Sequence, residues 1–195
     1  AERARRHILD FVPWATPRYQ PPHHLAPLLE RFERAAAGEP MRVACHAPPR
    51  HAKTETLLHT IAWTLKRRPE LKFSYTTYGD MLARRKMRLL RRLFSRVDVK
   101  LTTDNLNDMR TAEGGGIVSG GIKGPLVGEG IDIAIIDDPI KSQVEAQSKL
   151  DRETKEDWFD TGLLPRLEPG ASVFCFQPRW PPDDLAGSLV KMHGF

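Results

Sequence analysis

The stretch "IDIAIIDDP" (131–139) limits what this chain can become more than any other. Its apolar residues run consecutively instead of alternating, so a strand made from it needs both faces covered, as inside a parallel sheet. It also stops abruptly on two carboxylates, Asp137 and Asp138. Three shorter runs share its character: "MRVACHA" (41–47), "LKFSYTT" (71–77) and "ASVFCFQ" (171–177). Helical patterns separate them. In "KTETLLHTIAWTLKRR" (53–68) Leu57, Leu58, Ile61 and Leu65 recur at helical spacing, and Pro69 follows a basic last turn. "GDMLARRKMRLLRRLFSR" (79–96) carries a stripe through Leu82, Met87, Leu90 and Leu93 or Phe94, and a polar helix is expected over roughly 142–159. Alternating strands and helices predict a parallel-sheet α/β sandwich with helices on both faces.

The 195 residues suffice for one domain with a full core. An apolar fraction of 40% without a long apolar run excludes a membrane span, and the basic N-terminus lacks the apolar core of an export signal. Cys45 and Cys175 both fall in expected buried strands, at similar depth, and read as small hydrophobes that do not pair. Net charge of +5 is compatible with a polyanionic partner. Seven bases lie between Arg84 and Arg96 with no acid among them: Arg84, Arg85, Lys86, Arg88, Arg91, Arg92 and Arg96. They read either as a DNA-backbone contact or as a solvated helix face, because they spread around the helix. The glycines of "EGGGIVSGGIKGPLVGEG" (113–130) read as tight sheet turns, and His23, His24, His46 and His51 lack the companions of a zinc site.

At the first strand-to-helix junction, "CHAPPRHAKTE" (45–55) approaches the phosphate-loop pattern G-x-x-x-x-G-K-S/T, with Ala47 and Ala52 where that pattern has glycine. A phosphate loop needs backbone N–H groups, a helix N-terminus and a lysine facing one ligand; Lys53 and Thr54 stand at the helix start, as required. Taken alone the loop reads equally as a cradle or as a plain turn. The pair Asp137-Asp138 fits a metal-binding aspartate followed by a water-polarising carboxylate, and "DDP" is also good helix-capping chemistry.

Four segments in order, "APPRHAKTE", "GGIKGPLVGEGIDIAIIDDPIK", "WFDTGLLPRLEPGASVFCF" and "PRWPPDDLAGSL", resemble the ATPase domain of the large terminase subunit of tailed bacteriophages. The resemblance implies an ASCE-type P-loop NTPase fold that uses ATP and Mg²⁺ to drive double-stranded DNA into a procapsid in the host cytoplasm. Partners would be the portal and the small terminase subunit, with a homo-oligomeric ring on the procapsid and a monomer in isolation. It also implies that residues 1–195 are the N-terminal ATPase domain, with the nuclease domain absent. By position, the resemblance gives Pro49, Arg50, His51, Ala52, Lys53, Thr54 and Glu55 to the nucleotide. Arg50 is the loop arginine, Lys53 the phosphate contact, Thr54 and Asp137 the Mg²⁺ contacts, and Asp138 the catalytic carboxylate. Gln177 and Arg179, with Trp180, would form the motif that senses the terminal phosphate, and Tyr19 or Gln20 in "PRYQPPHHL" would pack on adenine. Departures from the family pattern are Ala52 for glycine, Asp138 for glutamate, Gln177-Pro178 for threonine and Glu129 for an arginine. With that arginine missing, Arg166 or Lys123 is left as the cation offered to a neighbouring subunit. The rival functions are another DNA-dependent ATPase or helicase, and a non-hydrolysing nucleic-acid-binding module with a decayed loop.

Overall fold

A computed structural model of the chain describes residues 2–19, 23–122, 124 and 130–195, and of Arg5 the backbone alone. Each apolar run is a strand: β1 (Arg42–His46), β2 (Lys72–Thr77), β6 (Ile131–Asp137) and β7 (Leu167–Gln177), joined by β3 (Thr103–Asn105), β4 (Asp108–Arg110) and β5 (Gly116–Gly121). Across the sheet the order is β1-β7-β6-β2-β5-β4-β3. The pairs from β1 through β5 are parallel, while β5-β4 and β4-β3 form an antiparallel extension on one edge. β7, the last of the described strands, is thus inserted between the strand that feeds the lysine loop and the strand that ends in Asp137.

Consecutive apolar residues are explained by the two faces they fill. Ile133, Ile135, Phe174 and Phe176 point into one core with α2 (Ile8–Ala15), α3 (Ala26–Ala36), α4 (Lys53–Arg67) and α5 (Asp80–Val97). Ala134, Ile136, Val173 and Cys175 point the other way, against Phe159, Leu163 and the residues Leu185 and Leu189 of α8 (Leu185–His193). Phe32 of α3 lies flat on Phe174, with ring centroids 3.8 Å apart. A polar side chain intrudes where the backbone needs it: the Asp132 carboxylate accepts the Lys72 N–H at 2.8 Å. Gly116 sits at φ +135°, where a Cβ would lie 2.1 Å from the Met109 carbonyl oxygen, so the "GGG" turn is structural.

Several expectations are corrected. The helix over 142–159 is two helices, α6 (Gln143–Gln147) and α7 (Lys149–Asp157), followed by a wider π-turn over Trp158–Leu163. Ser142 and Ser148 each accept a backbone N–H three residues on, from Glu145 and Asp151, and two such caps in succession break the run. The thiols are unpaired but not equally deep: Cys175 is fully buried and Cys45 half-buried. Ala44 is the residue opposite Cys175, so the two cysteines are one register position apart and face opposite sides of the sheet. On α5 the buried stripe starts at Ala83, not at Leu82, which is only half-buried. The helices α1 (Glu2–Arg6), α2, α3 and α8 were not anticipated. Among the described residues, no helix is long and apolar enough to cross a membrane.

Candidate functional site

Ligands in open parallel sheets gather beyond the carboxyl ends of the strands, and there β1, β7 and β6 end side by side. The chain leaves β1 at His46, turns through 47–52 and enters α4 at Lys53. Two non-glycine residues of that turn, Arg50 (φ 64°) and Ala52 (φ 58°), adopt left-handed backbone. In an L-residue this costs roughly 1–2 kcal/mol, so the loop is held in shape against alanine's preference. Ala47 carries no such strain: its N–H donates to the Gln177 carbonyl at 3.2 Å, and it lies buried against the sheet. The two alanines therefore stand in different conditions. One fits where the glycine of the pattern would be; the other occupies a glycine conformation.

Lys53 is 6% exposed, and its Nζ donates to Asp138 Oδ1 at 3.1 Å. Thr54 Oγ1 donates to Asp137 Oδ2 at 3.1 Å. The consecutive residues at the helix start thus each reach one of the consecutive carboxylates at the end of β6. Asp138 is itself left-handed, at φ 50°. Backbone bonds fix it, its N–H donating to the Phe176 carbonyl and its own carbonyl accepting from Tyr78.

Asp137 is fully buried. Its Oδ2 also accepts from the Tyr75 hydroxyl, while its Oδ1 has no hydrogen-bond partner among the described residues. Tyr75 lies opposite Ile135 in the β2–β6 register, so Asp137 is two residues along the neighbouring strand on the same face. Burial holds the Asp137 carboxyl above its ordinary range, and the charge of Asp138 adds to the shift; the Tyr75 hydroxyl, Lys86 and Thr54 oppose it. Burial, together with the charge of Asp137, likewise raises the Tyr75 phenol well above its ordinary value.

A cavity of about 560 Å³ opens over these groups, lined among others by Pro49, Arg50, Ala52, Lys53, Thr54, Glu55 and Asp138. Sequence reasoning missed part of its wall: Tyr78, Leu89, Ile140 and, from the basic helix α5, Lys86. By charge Lys86 belongs with the other bases of that helix, but it is half-buried and its Nζ donates to Thr54 Oγ1 at 3.0 Å. Ala83 and Leu90 lie three residues before it and four after it, so its place in the inward stripe is readable at helical spacing.

Other candidates stand at different distances. Gln177 is fully buried at the end of β7, and neither its Oε1 nor its Nε2 has a partner among the described residues. Trp180 lines the cavity, its Nε1 without a partner among the described residues, whereas Arg179 is exposed and lines no wall of it. His51 is exposed, its Nδ1 2.9 Å from the Pro49 carbonyl oxygen. Tyr19 lies against α4: its hydroxyl is 2.9 Å from Thr56 Oγ1, and its ring stacks on His59. Arg166 donates through Nη1 to the Gly162 carbonyl on its own turn. Gln20, Lys123 and Glu129 lie outside the described residues.

No protein-family model matches the chain, and neither does any curated protein. Its fold is similar to that in the crystal structure of the HK97 bacteriophage large terminase, with a TM-score of 0.65 over 98% of this chain at 14% identity. The chain spans 42% of the length of that protein. At this identity the likeness establishes the fold, a mostly parallel α/β sheet flanked by helices, shared with a large terminase.

Proposed function

We propose, with that shared fold as the premise, that this chain is an Mg²⁺-dependent ATP hydrolase of the large-terminase kind, a motor domain that moves double-stranded DNA. The observation that carries the reading is the doubled contact at the sheet's carboxyl edge, Lys53 to Asp138 and Thr54 to Asp137, beneath a cavity that opens to solvent. A lysine and a hydroxyl at a helix start, facing a buried and an exposed-edge carboxylate, are the donor set that phosphoryl transfer uses. The left-handed Ala52 supports a cradle over a decayed loop, since a plain turn has no reason to hold alanine in a strained conformation.

In this reading Lys53 and Arg50 take the phosphates, and binding separates Lys53 from Asp138. The residues fit a divalent metal: Asp137 offers a buried oxygen without a partner among the described residues, and the Thr54 hydroxyl bonds to its other oxygen. Thr54 and Asp137 would hold Mg²⁺, which draws negative charge off the phosphate oxygens. Asp138, released from Lys53, is free to accept a hydrogen bond from the attacking water and orient it. Gln177 and Trp180 supply donors at the same edge to register loss of the terminal phosphate, and Tyr19 braces the loop helix from behind. Portal, small terminase subunit, ring assembly and the host cytoplasm belong to the same reading.

The test is thermal stabilisation by MgATP. Lys53→Ala is expected to abolish it while the ligand-free protein still folds, because the lysine ammonium lines the cavity and bonds to Asp138 at its edge. Undiminished stabilisation of that variant would sink the assignment.

A further inference from the structure

Of the seven bases between Arg84 and Arg96, one faces the other way. Lys86 is half-buried while Arg84, Arg85, Arg88, Arg91, Arg92 and Arg96 are exposed, and it extends over the cavity to Thr54 Oγ1, 3.0 Å away. None of the described carboxylates lies within ion-pair distance of its ammonium, in contrast to Lys53, which is neutralised by Asp138. The nearest negative charge Lys86 feels, that of Asp137, is reached only through the Thr54 hydroxyl and not by a direct ion pair, so a half-buried ammonium gains when a ligand places a negative oxygen against it. The cavity wall carries Arg50, Lys53, Lys86 and Lys141 against Glu55 and Asp138, an excess of positive charge that suits a polyphosphate.

The side from which Lys86 arrives also matters. The loop and Lys53 surround a ligand from β1 and the α4 N-terminus; Lys86 reaches in from α5, beyond Thr54, toward the ends of β2 and β6. Phosphates held by the loop amides would lie on the β1 side, and a further phosphate placed toward the carboxylates at the end of β6 would come nearer to Lys86.

We infer that Lys86 is a phosphate-binding residue supplied by the same chain, contacting the terminal phosphate of a nucleoside triphosphate and thereby favouring the triphosphate over the diphosphate. The inference rests on the nucleotide reading above. In the ligand-free protein the ammonium parks on the Thr54 hydroxyl, and it exchanges that bond for the phosphate on binding. The face of α5 that carries the exposed arginines is thus tied by one side chain to the state of the nucleotide.

The experiment measures binding of MgADP and of the Mg²⁺ complex of a non-hydrolysable β,γ-imido ATP analogue to the parent, Lys86→Met, Lys86→Gln, Lys86→Arg and Lys53→Ala. Loss of one charged hydrogen bond is expected to weaken the triphosphate analogue about tenfold in Lys86→Met and Lys86→Gln. MgADP binding should stay within about twofold of the parent, and Lys86→Arg should recover part of the triphosphate affinity. Equal weakening of both ligands would assign Lys86 to holding Thr54 in place and overturn the proposal, as would no weakening of either. The outcomes separate the two readings. A parent that binds both ligands, loses both with Lys53→Ala and ignores Lys86 leaves the nucleotide site standing and removes Lys86 from it; a parent that binds neither ligand overturns both.

Discussion

The two positively charged regions of this molecule, the loop at the start of α4 and the outer face of α5, differ in what surrounds the charge rather than in how much there is. At the loop, Tyr75 and Thr54 both donate to the buried Asp137, and the buried Lys53 pairs with Asp138 beside them. On α5, Arg84, Arg85, Arg88 and Arg92 are exposed, and Arg91 reaches only a loose pair with Asp104 at 3.6 Å. Buried charge is costly and therefore specific, so one substitution there should change everything. Solvated charge acts by sum, and single changes should be small.

The sharpest way to break this contrast lies in the paired aspartates. Asp138→Asn is expected to leave MgATP binding nearly unchanged and to cut turnover by about a hundredfold or more, since in the proposed function this carboxylate orients the water. Asp137→Asn should weaken Mg²⁺-dependent binding instead. It should also stabilise the ligand-free protein at neutral pH. The folded pKa of Asp137 is raised, so the folded state holds its proton over a range where the unfolded chain has lost it. Stability therefore falls as pH rises from the ordinary carboxyl value through the raised one, and Asp137→Asn should flatten that segment of the melting profile. An unchanged profile would mean that Asp137 is not the strained charge at the centre of the site.

A weaker, collective effect is expected from the outer face. Replacing Arg84, Arg88, Arg91 and Arg92 together by Gln should lower DNA affinity and reduce the slope of log affinity against log salt by roughly 0.9 for each phosphate no longer neutralised. Nucleotide binding should not change. If one of these replacements alone does as much as all four, this face is a specific site and the contrast fails.

The smallest effect concerns backbone alone. Ala52→Gly relieves left-handed strain of roughly 1–2 kcal/mol but frees the unfolded chain, leaving a net gain of about 0.5 kcal/mol. A rise in melting temperature of roughly 1–2 °C should follow. A fall would show that the alanine methyl packs favourably in the loop.

How far the sequence disclosed these features depended on whether the cause was local. The apolar runs of β6 and β7 announce a doubly covered sheet, since strands buried on both faces have nowhere to put polar residues. Lys53-Thr54 and Asp137-Asp138 were legible because each pair is contiguous. Tyr75 was not, because its partner lies on another strand and only the β2–β6 register brings them together. Lys86 shares its charge with the arginines around it, and only its helical spacing from Ala83 and Leu90, not its residue type, marks it as the base that turns inward. The break at Ser148 needed attention to capping rather than to composition. Gln177 was placed by resemblance, and nothing in the residue itself announced a buried amide without partners.

The insertion of β7 between β1 and β6 also governs when the site can come into being. Lys53 and Asp138 are 85 residues apart in the chain, yet the strands that carry them are held side by side only through a third that ends at Gln177. A nascent chain emerging through Asp138 already has its lysine, its hydroxyl and both carboxylates, and still has no edge against which to align them. Such non-local parallel pairing is slow to form. During synthesis the lysine, the hydroxyl and the two carboxylates therefore remain unaligned until β7 is delivered, and the buried Lys53 and Asp137 have no reason to leave water before then.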